Sequence, residues 1–243
     1  MIYPSRINTI RHVIIILIVF CSSDVISQTA YDYIVNATAK EVQGNLKGAI
    51  KDYSKAIKLN PKSGLTFNSR GELKAKLGDF IAAIADYNKA IKINSKNADF
   101  YYNRGFSKSK LKDYRGAILD YVKAIKLNSE YEEAYFHRGI AKTMLNDHRG
   151  AITDFNKAVK TKPDFEQAFF FRGLAKINTG DKNGGFSDLN KAIAIDPEYA
   201  KAFFMRGIAM MNIGDKNEAC LDWSKAGELG YVEAYDLIKK HCN

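Results

Sequence analysis

Residues 132–165, EEAYFHRGIAKTMLNDHRGAITDFNKAVKTKPDF, are one copy of a unit that recurs every 34 residues with no gap or insertion. Numbered 1 to 34, the unit carries an aromatic at 4 (Tyr135), Arg138-Gly139 at 7 and 8, Ala151 at 20, an aromatic at 24 (Phe155), Ala158 at 27 and Pro163 at 32. Equivalent glycines follow at Gly71, Gly105, Gly173 and Gly207, and equivalent alanines at Ala56, Ala90, Ala124, Ala192 and Ala226. A glycine inside a helix costs about 1 kcal/mol relative to alanine, so a glycine kept at one position in five units needs a reason. Close helix approach supplies it: the small residues make holes, and the rings at 24 (Tyr53, Tyr87, Tyr121, Phe155, Trp223) fill them. Leu189 is the exception among these rings. Gly78-Asp79, Asn146-Asp147, Gly180-Asp181 and Gly214-Asp215 each read as a helix stop followed by an N-terminal cap. Pro61, Pro163 and Pro197 mark position 32, where a helix must end.

A 34-residue period with small residues at 8, 20 and 27 and bulky ones at 4 and 24 resembles the tetratricopeptide repeat, a pair of antiparallel helices. The resemblance covers residues 30–233 and implies an all-α chain: an α-solenoid of about six repeats (30–63, 64–97, 98–131, 132–165, 166–199, 200–233) closed by a C-terminal capping helix over 232–241. The first repeat departs from the pattern, with Asn36-Ala37 in place of Arg-Gly, as terminal repeats do when one face meets water. The fifth is the loosest, with Gly184-Gly185 where alanine is expected at 20. That glycine pair is either a hinge or neutral drift, and its modest helical cost favours drift.

Composition is that of an ordinary water-facing chain, 46% hydrophobic and 26% charged over 243 residues. The three cysteines and four histidines (His12, His137, His148, His241) lack metal-ligand spacing, and no phosphate loop or nucleophile elbow occurs. The expectation is a chain that is no enzyme and needs no cofactor or metal.

Residues 1–12 carry Arg6 and Arg11 and no acid, followed by the apolar run VIIILIVF at 13–20. That run is shorter than the roughly 20 residues a membrane span needs, so it reads as a secretory signal over 1–27, cleaved after Ser27 to leave a mature chain of 28–243 with no stable membrane span. The expected location is periplasmic or secreted. A lipid anchor on Cys21 and an uncleaved anchor are the rival readings; Phe20 stands where lipoprotein processing resembles a motif with a small residue, and the apolar run is short for a span.

Two charged ladders run along the repeats. Arginine holds position 7 in Arg70, Arg104, Arg138, Arg172 and Arg206, and aspartate holds position 23 in Asp52, Asp86, Asp120, Asp154, Asp188 and Asp222. An arginine beside the close-packed glycine is partly desolvated and needs a counter-charge. The expectation is a structural ladder pairing each arginine with the aspartate of the preceding repeat, because the repeat with nothing before it lacks the arginine. Lysines at position 26 (Lys55, Lys89, Lys123, Lys157, Lys191, Lys225) and at position 11 (Lys40, Lys74, Lys108, Lys142, Lys176) supply most of the formal charge of +10. They read as a solvated outer face, and export argues against a nucleic-acid partner. Cys220 and Cys242 flank the turn at Tyr231 by equal distances, which puts them level in an antiparallel helix pair. A disulfide pinning the capping helix is expected, in keeping with an oxidising compartment.

The family resemblance implies a protein–protein interaction scaffold with a concave groove lined by the first helix of each pair. The alternative is a self-associating structural protein, a homo-oligomer whose groove holds a second copy. Positions 2, 5, 6, 9, 12 and 13 line the groove in relatives, and they change character along this chain. Asn68, Ser69, Glu72 and Lys76 are polar, and Tyr102, Asn103, Phe106 and Lys110 are mixed. The last three repeats are apolar: Phe136, His137, Ile140 and Met144; Phe170, Phe171, Leu174 and Ile177; Phe204, Met205, Ile208 and Met211. The implied partner is a protein or peptide segment with apolar anchors across repeats four to six. On that reading, serine at Phe171 and Met205 removes binding and leaves thermal stability nearly unchanged; the alternative is that positions 5 and 9 are partly internal packing between successive first helices, and the same substitutions then lower the melting temperature.

Overall fold

The computed structural model describes residues 29–242, all of whose regular structure is helical. Helix α1 spans 29–42. It is followed by α2 (Leu46–Leu59), α3 (Gly64–Lys76), α4 (Phe80–Ile93), α5 (Ala98–Lys110), α6 (Tyr114–Leu127) and α7 (Glu132–Met144). Then come α8 (His148–Thr161), α9 (Glu166–Asn178), α10 (Lys182–Ile195), α11 (Ala200–Met211), α12 (Lys216–Glu228) and α13 (Glu233–His241). The signal segment and Cys21 lie outside the described residues. The chain forms two compact units, one ending at Leu111 and the other starting at Lys112, so the division falls between the two helices of the third repeat. Within each unit, successive helices pack on one another: α2 to α5 in the first, α6 to α13 in the second. Each unit is a stack of successive helices that bury their apolar faces against nearest neighbours.

The turns inside the pairs follow from residue chemistry. Gly78, Gly180 and Gly214 adopt φ of 84°, 93° and 89°, the left-handed conformation that ends a helix at least cost to glycine. Asn146 takes the same role at φ 61°. The aspartate that follows each of them then accepts a hydrogen bond from a backbone N–H in the first turn of the next helix: Asp79 from Ala82, Asp147 from Gly150, Asp181 from Gly184 and Asp215 from Glu218.

In repeats two, four and six the position-8 glycine meets the position-24 ring of its own repeat. A Cβ on Gly71 would lie 2.7 Å from the Tyr87 ring, one on Gly139 2.7 Å from Phe155, and one on Gly207 2.7 Å from the Trp223 indole. The fifth repeat solves the same problem differently. With Leu189 in place of a ring, the backbones of α9 and α10 meet directly: a Cβ on Gly173 would be 2.9 Å from the Gly185 carbonyl oxygen, and one on Gly185 2.8 Å from that of Gly173. Gly185 is therefore not neutral drift but the second half of a close helix contact, set beside the narrower side chain at 189.

The aspartates of position 23 are all buried, and in repeats two, four, five and six the arginine reaches the aspartate of its own repeat, not that of the preceding one. Arg70 donates from Nε and Nη2 to the two carboxylate oxygens of Asp86 at 2.9 and 2.6 Å. Arg138 with Asp154, Arg172 with Asp188 and Arg206 with Asp222 repeat this fork. Pairing with the preceding repeat is thus corrected: the hairpin that sets residue 8 against residue 24 also sets 7 beside 23. Asn36 needs no arginine because Lys40 pairs with Asp52. Position-11 lysines are accordingly not merely a solvated face. Lys74, Lys142 and Lys176 sit half-buried on Asp86, Asp154 and Asp188 at 2.7, 2.8 and 2.8 Å. What does reach the preceding repeat is the remaining guanidinium nitrogen, donated by Arg70 to Ser54, Arg104 to Asn88, Arg172 to Asn156 and Arg206 to Asn190.

At the C-terminal end, α13 lies on α12, and the Tyr235 hydroxyl donates to the Gly227 carbonyl at 3.1 Å. The sulfurs of Cys220 and Cys242 are 2.02 Å apart.

Candidate partner-binding site

In the C-terminal unit the first helices of the repeats, α7, α9 and α11, carry the residues that the repeat register assigns to a groove. Burial divides them. Phe136 and Phe170, at position 5, are core: Phe170 is fully buried, with its ring 5.1 Å from that of Tyr199, and Phe136 packs 4.7 Å from Phe165. Each ring turns toward the last residue of its own repeat, which removes it from the groove. Phe171 is half-buried in an aromatic cluster, its centroid 5.8 Å from Phe136, 6.2 Å from Phe155 and 5.1 Å from Phe170. His137 stacks 6.2 Å from Tyr121, and Ile140 packs on the cluster around Phe155. Phe204 lies 4.6 Å from Tyr231, and Met211 rests on the cluster around Trp223. Met144 stands exposed at the end of α7.

A concavity of this unit opens to solvent between α9 and α11. Leu174, Ile177 and Asn178 of α9 face Met205, Ile208, Ala209 and Asn212, contributed by α11 and its C-cap, across a cleft of about 180 Å³. No charged side chain lines it. Beside it, a smaller cleft of about 90 Å³ runs from Ile177 and Ala209 to Phe186 and Ile213, with Lys182 at its edge. Asn178 and Asn212 were not among the residues singled out from sequence, although both occupy position 13, the signal that marks groove residues in relatives. The pair supplies donors and acceptors at the rim of an apolar floor, the arrangement that fixes a backbone while a side chain inserts.

The N-terminal unit presents a larger cleft, of about 400 Å³, between α3 and α5. Glu72, Ala75, Lys76, Asn103 and Phe106 line it, with Tyr87 of α4 behind. Burial, and then the nearby negative charge of Glu72, push the Tyr87 phenol well above its ordinary range. Lys76 is raised chiefly by its hydrogen bond to Glu41. Among the described residues no three His, Cys, Asp or Glu side chains converge to hold a metal, and no helix is long and apolar enough to cross a membrane.

Tetratricopeptide-repeat models match residues 39–63, 71–112 and 98–131. No curated protein sequence matches the chain. Among solved structures it is similar to MamA, with 27% identity and a TM-score of 0.64 over 68% of this chain and 96% of that one. It is also similar to YrrB, a tetratricopeptide-repeat protein with an unusual peptide-binding site, at 22% identity and a TM-score of 0.64 over 77% and 97%. Pseudomonas aeruginosa pilF shares the fold at 15% identity, with a TM-score of 0.75 over 88% and 99%. The period, the helix pairs with glycines seated against rings, and these matches together make the chain an α-solenoid of tetratricopeptide repeats.

Proposed function

We propose that this protein is an exported scaffold, periplasmic or secreted, that holds a peptide or helix of a protein partner by its apolar side chains against α9 and α11. The observation that carries this reading is the uncharged cleft of about 180 Å³ between Leu174, Ile177, Met205 and Ile208, rimmed by Asn178 and Asn212. Its size suits one or two aliphatic side chains, and an apolar hollow with convergent carboxamides is how a scaffold reads an anchor and holds the backbone beside it. A charged anchor would lose its hydration there without a counter-charge. Export is supported by the basic head and short apolar run of residues 1–20, and by two cysteines brought within bonding distance.

A display library of random peptides selected on the mature protein tests the site. The expected outcome is enrichment of Leu, Ile, Met or Phe at a fixed position, with binding lost in Met205→Ser/Ile208→Ser and only a modest drop in melting temperature. Enrichment of acidic sequences, or a loss of binding that simply follows unfolding, overturns the assignment.

A further inference from the structure

The cleft of the N-terminal unit differs in chemistry from the apolar one. Glu72 is half-buried on its wall, and its Oε1 accepts from Asn68 Nδ2 at 3.1 Å and from Asn103 Nδ2 at 2.8 Å. Asn103 also donates to Asn68 Oδ1 at 3.1 Å, so the two carboxamides fix the carboxylate as one unit. Both donors are neutral and both end on the same oxygen. Among the described residues no lysine or arginine pairs with Glu72; Lys76, the cation nearest in the lining, is engaged by Glu41 at 2.5 Å. A carboxylate held in place, partly desolvated and hydrogen-bonded by neutral donors, with Lys76 adding its charge only through space, favours a further cation at its open oxygen. The opposite wall adds an aromatic face. Phe106 already carries the ammonium of the exposed Lys110 at 5.0 Å over its ring, which shows that this face receives cations.

We propose that this cleft receives an arginine side chain of a polypeptide partner, its guanidinium hydrogen-bonded to Glu72 and stacked on Phe106. The choice of arginine rests on shape. A planar group with in-plane donors meets the carboxylate edge-on while its flat face covers the ring, which a lysine ammonium does not do at once. It displaces Lys110 because it adds hydrogen bonds to Glu72 to the same ring contact. The choice of a polypeptide over a free polycation rests on charge. The chain carries a formal +10, which repels a highly charged cation at long range but not a single arginine within a neutral or acidic segment. The site is independent of the apolar cleft, since it lies in the other compact unit and needs no apolar anchor.

The probe is the capped tripeptide acetyl-Gly-Arg-Gly-amide, followed through the side-chain amide signals of Asn68 and Asn103 in the mature protein. Saturable shifts of both signals are expected. Affinity should fall about tenfold or more with the citrulline analogue, which keeps the shape and loses the charge, and equally in Glu72→Gln. Phe106→Leu gives a second reading should Glu72→Gln disturb the amide network: the arginine peptide should weaken and approach the affinity of its lysine counterpart. Equal binding of the citrulline peptide, undiminished binding by folded Glu72→Gln, tighter binding of spermidine than of the peptide, or no saturable shift at millimolar peptide each overturns the proposal. Because the probe has no apolar side chain, its failure says nothing against the apolar cleft, and the reverse holds for the display selection.

Discussion

At the scale of single residues, the buried aspartates at position 23 are the most demanding feature of this chain. Each is nearly inaccessible, so each must be matched. The repeats do not match them equally. Asp188 has both Arg172 and Lys176, whereas in the last repeat position 11 is Met210, and among the described residues Asp222 has Arg206 alone. Removing one partner of a buried pair costs about 3–5 kcal/mol because the other charge is stranded. Arg206→Ala should fall at the upper end of that range, and Arg172→Ala clearly below it because Lys176 still compensates Asp188. Urea unfolding of the two variants checks this, and equal losses would mean that the lysines contribute nothing. The arginines also explain how repeats couple, through guanidinium hydrogen bonds to the neutral acceptors Ser54, Asn88, Asn156 and Asn190. In the fourth repeat that link is missing from the pattern, since Val122 holds the corresponding position of the repeat before it.

At the scale of the helix pair, the fifth repeat shows why a repeat cannot be repaired by consensus. Alanine at position 185 would restore the residue found in the other repeats and improve helix propensity by about 1 kcal/mol. Its Cβ would nonetheless meet the Gly173 carbonyl at 2.8 Å and the Ile177 side chain at 2.4 Å. Overpacking of that kind costs about 1–3 kcal/mol, so Gly185→Ala is expected to lower the melting temperature, as a calorimetric scan would show. The aromatic cluster of the same repeat decides a second case. Phe171 touches Phe136, Phe155 and Phe170, so Phe171→Ser should destabilise by roughly 2 kcal/mol or more, against the sequence expectation of near-neutrality. Met205→Ser alone, at the lip of the cleft, should move the transition much less. A larger shift for Met205→Ser than for Phe171→Ser would reverse the division between core and groove.

For the molecule as a whole, the proposed export and the proposed bridge stand on connected tests. A mature chain isolated from its own cells is expected to begin at Gln28 and, without reductant, to have a mass two hydrogens below that of the dithiol form. A chain that starts at a lipid-modified Cys21, or that carries two free thiols, overturns the corresponding proposal. The bridge would close a loop with a sequence separation of 22, which corresponds to about 3 kcal/mol of stabilisation in the loop-entropy account. Reduction should therefore lower the unfolding midpoint, and it should do so most where α13 covers the Trp223 cluster. Hydrogen exchange on α12 and α13 would locate the effect there.

How much was legible in the sequence depends on whether the information is periodic. The 34-residue step displays the glycines, the rings, the turn residues and both charge ladders, because a repeat presents each structural requirement five or six times. It says which positions are special, not which neighbour each one meets: Arg70 is 18 residues after Asp52 and 16 before Asp86, and only the register of the hairpin selects the second. The direction of a ring is equally a tertiary matter. Phe170 and Phe171 are adjacent and chemically identical, yet one is sealed by Tyr199 and the other reaches only half-way into the core. The Asn68–Glu72–Asn103 network draws on two repeats, and the same residue types do not recur at these positions in the others, so no period announces it; packing α3 against α5 created it. The sequence determined the unit and its chemistry by repetition, and the tertiary structure decided the pairings, because burial and hydrogen-bond direction are properties of neighbours in space.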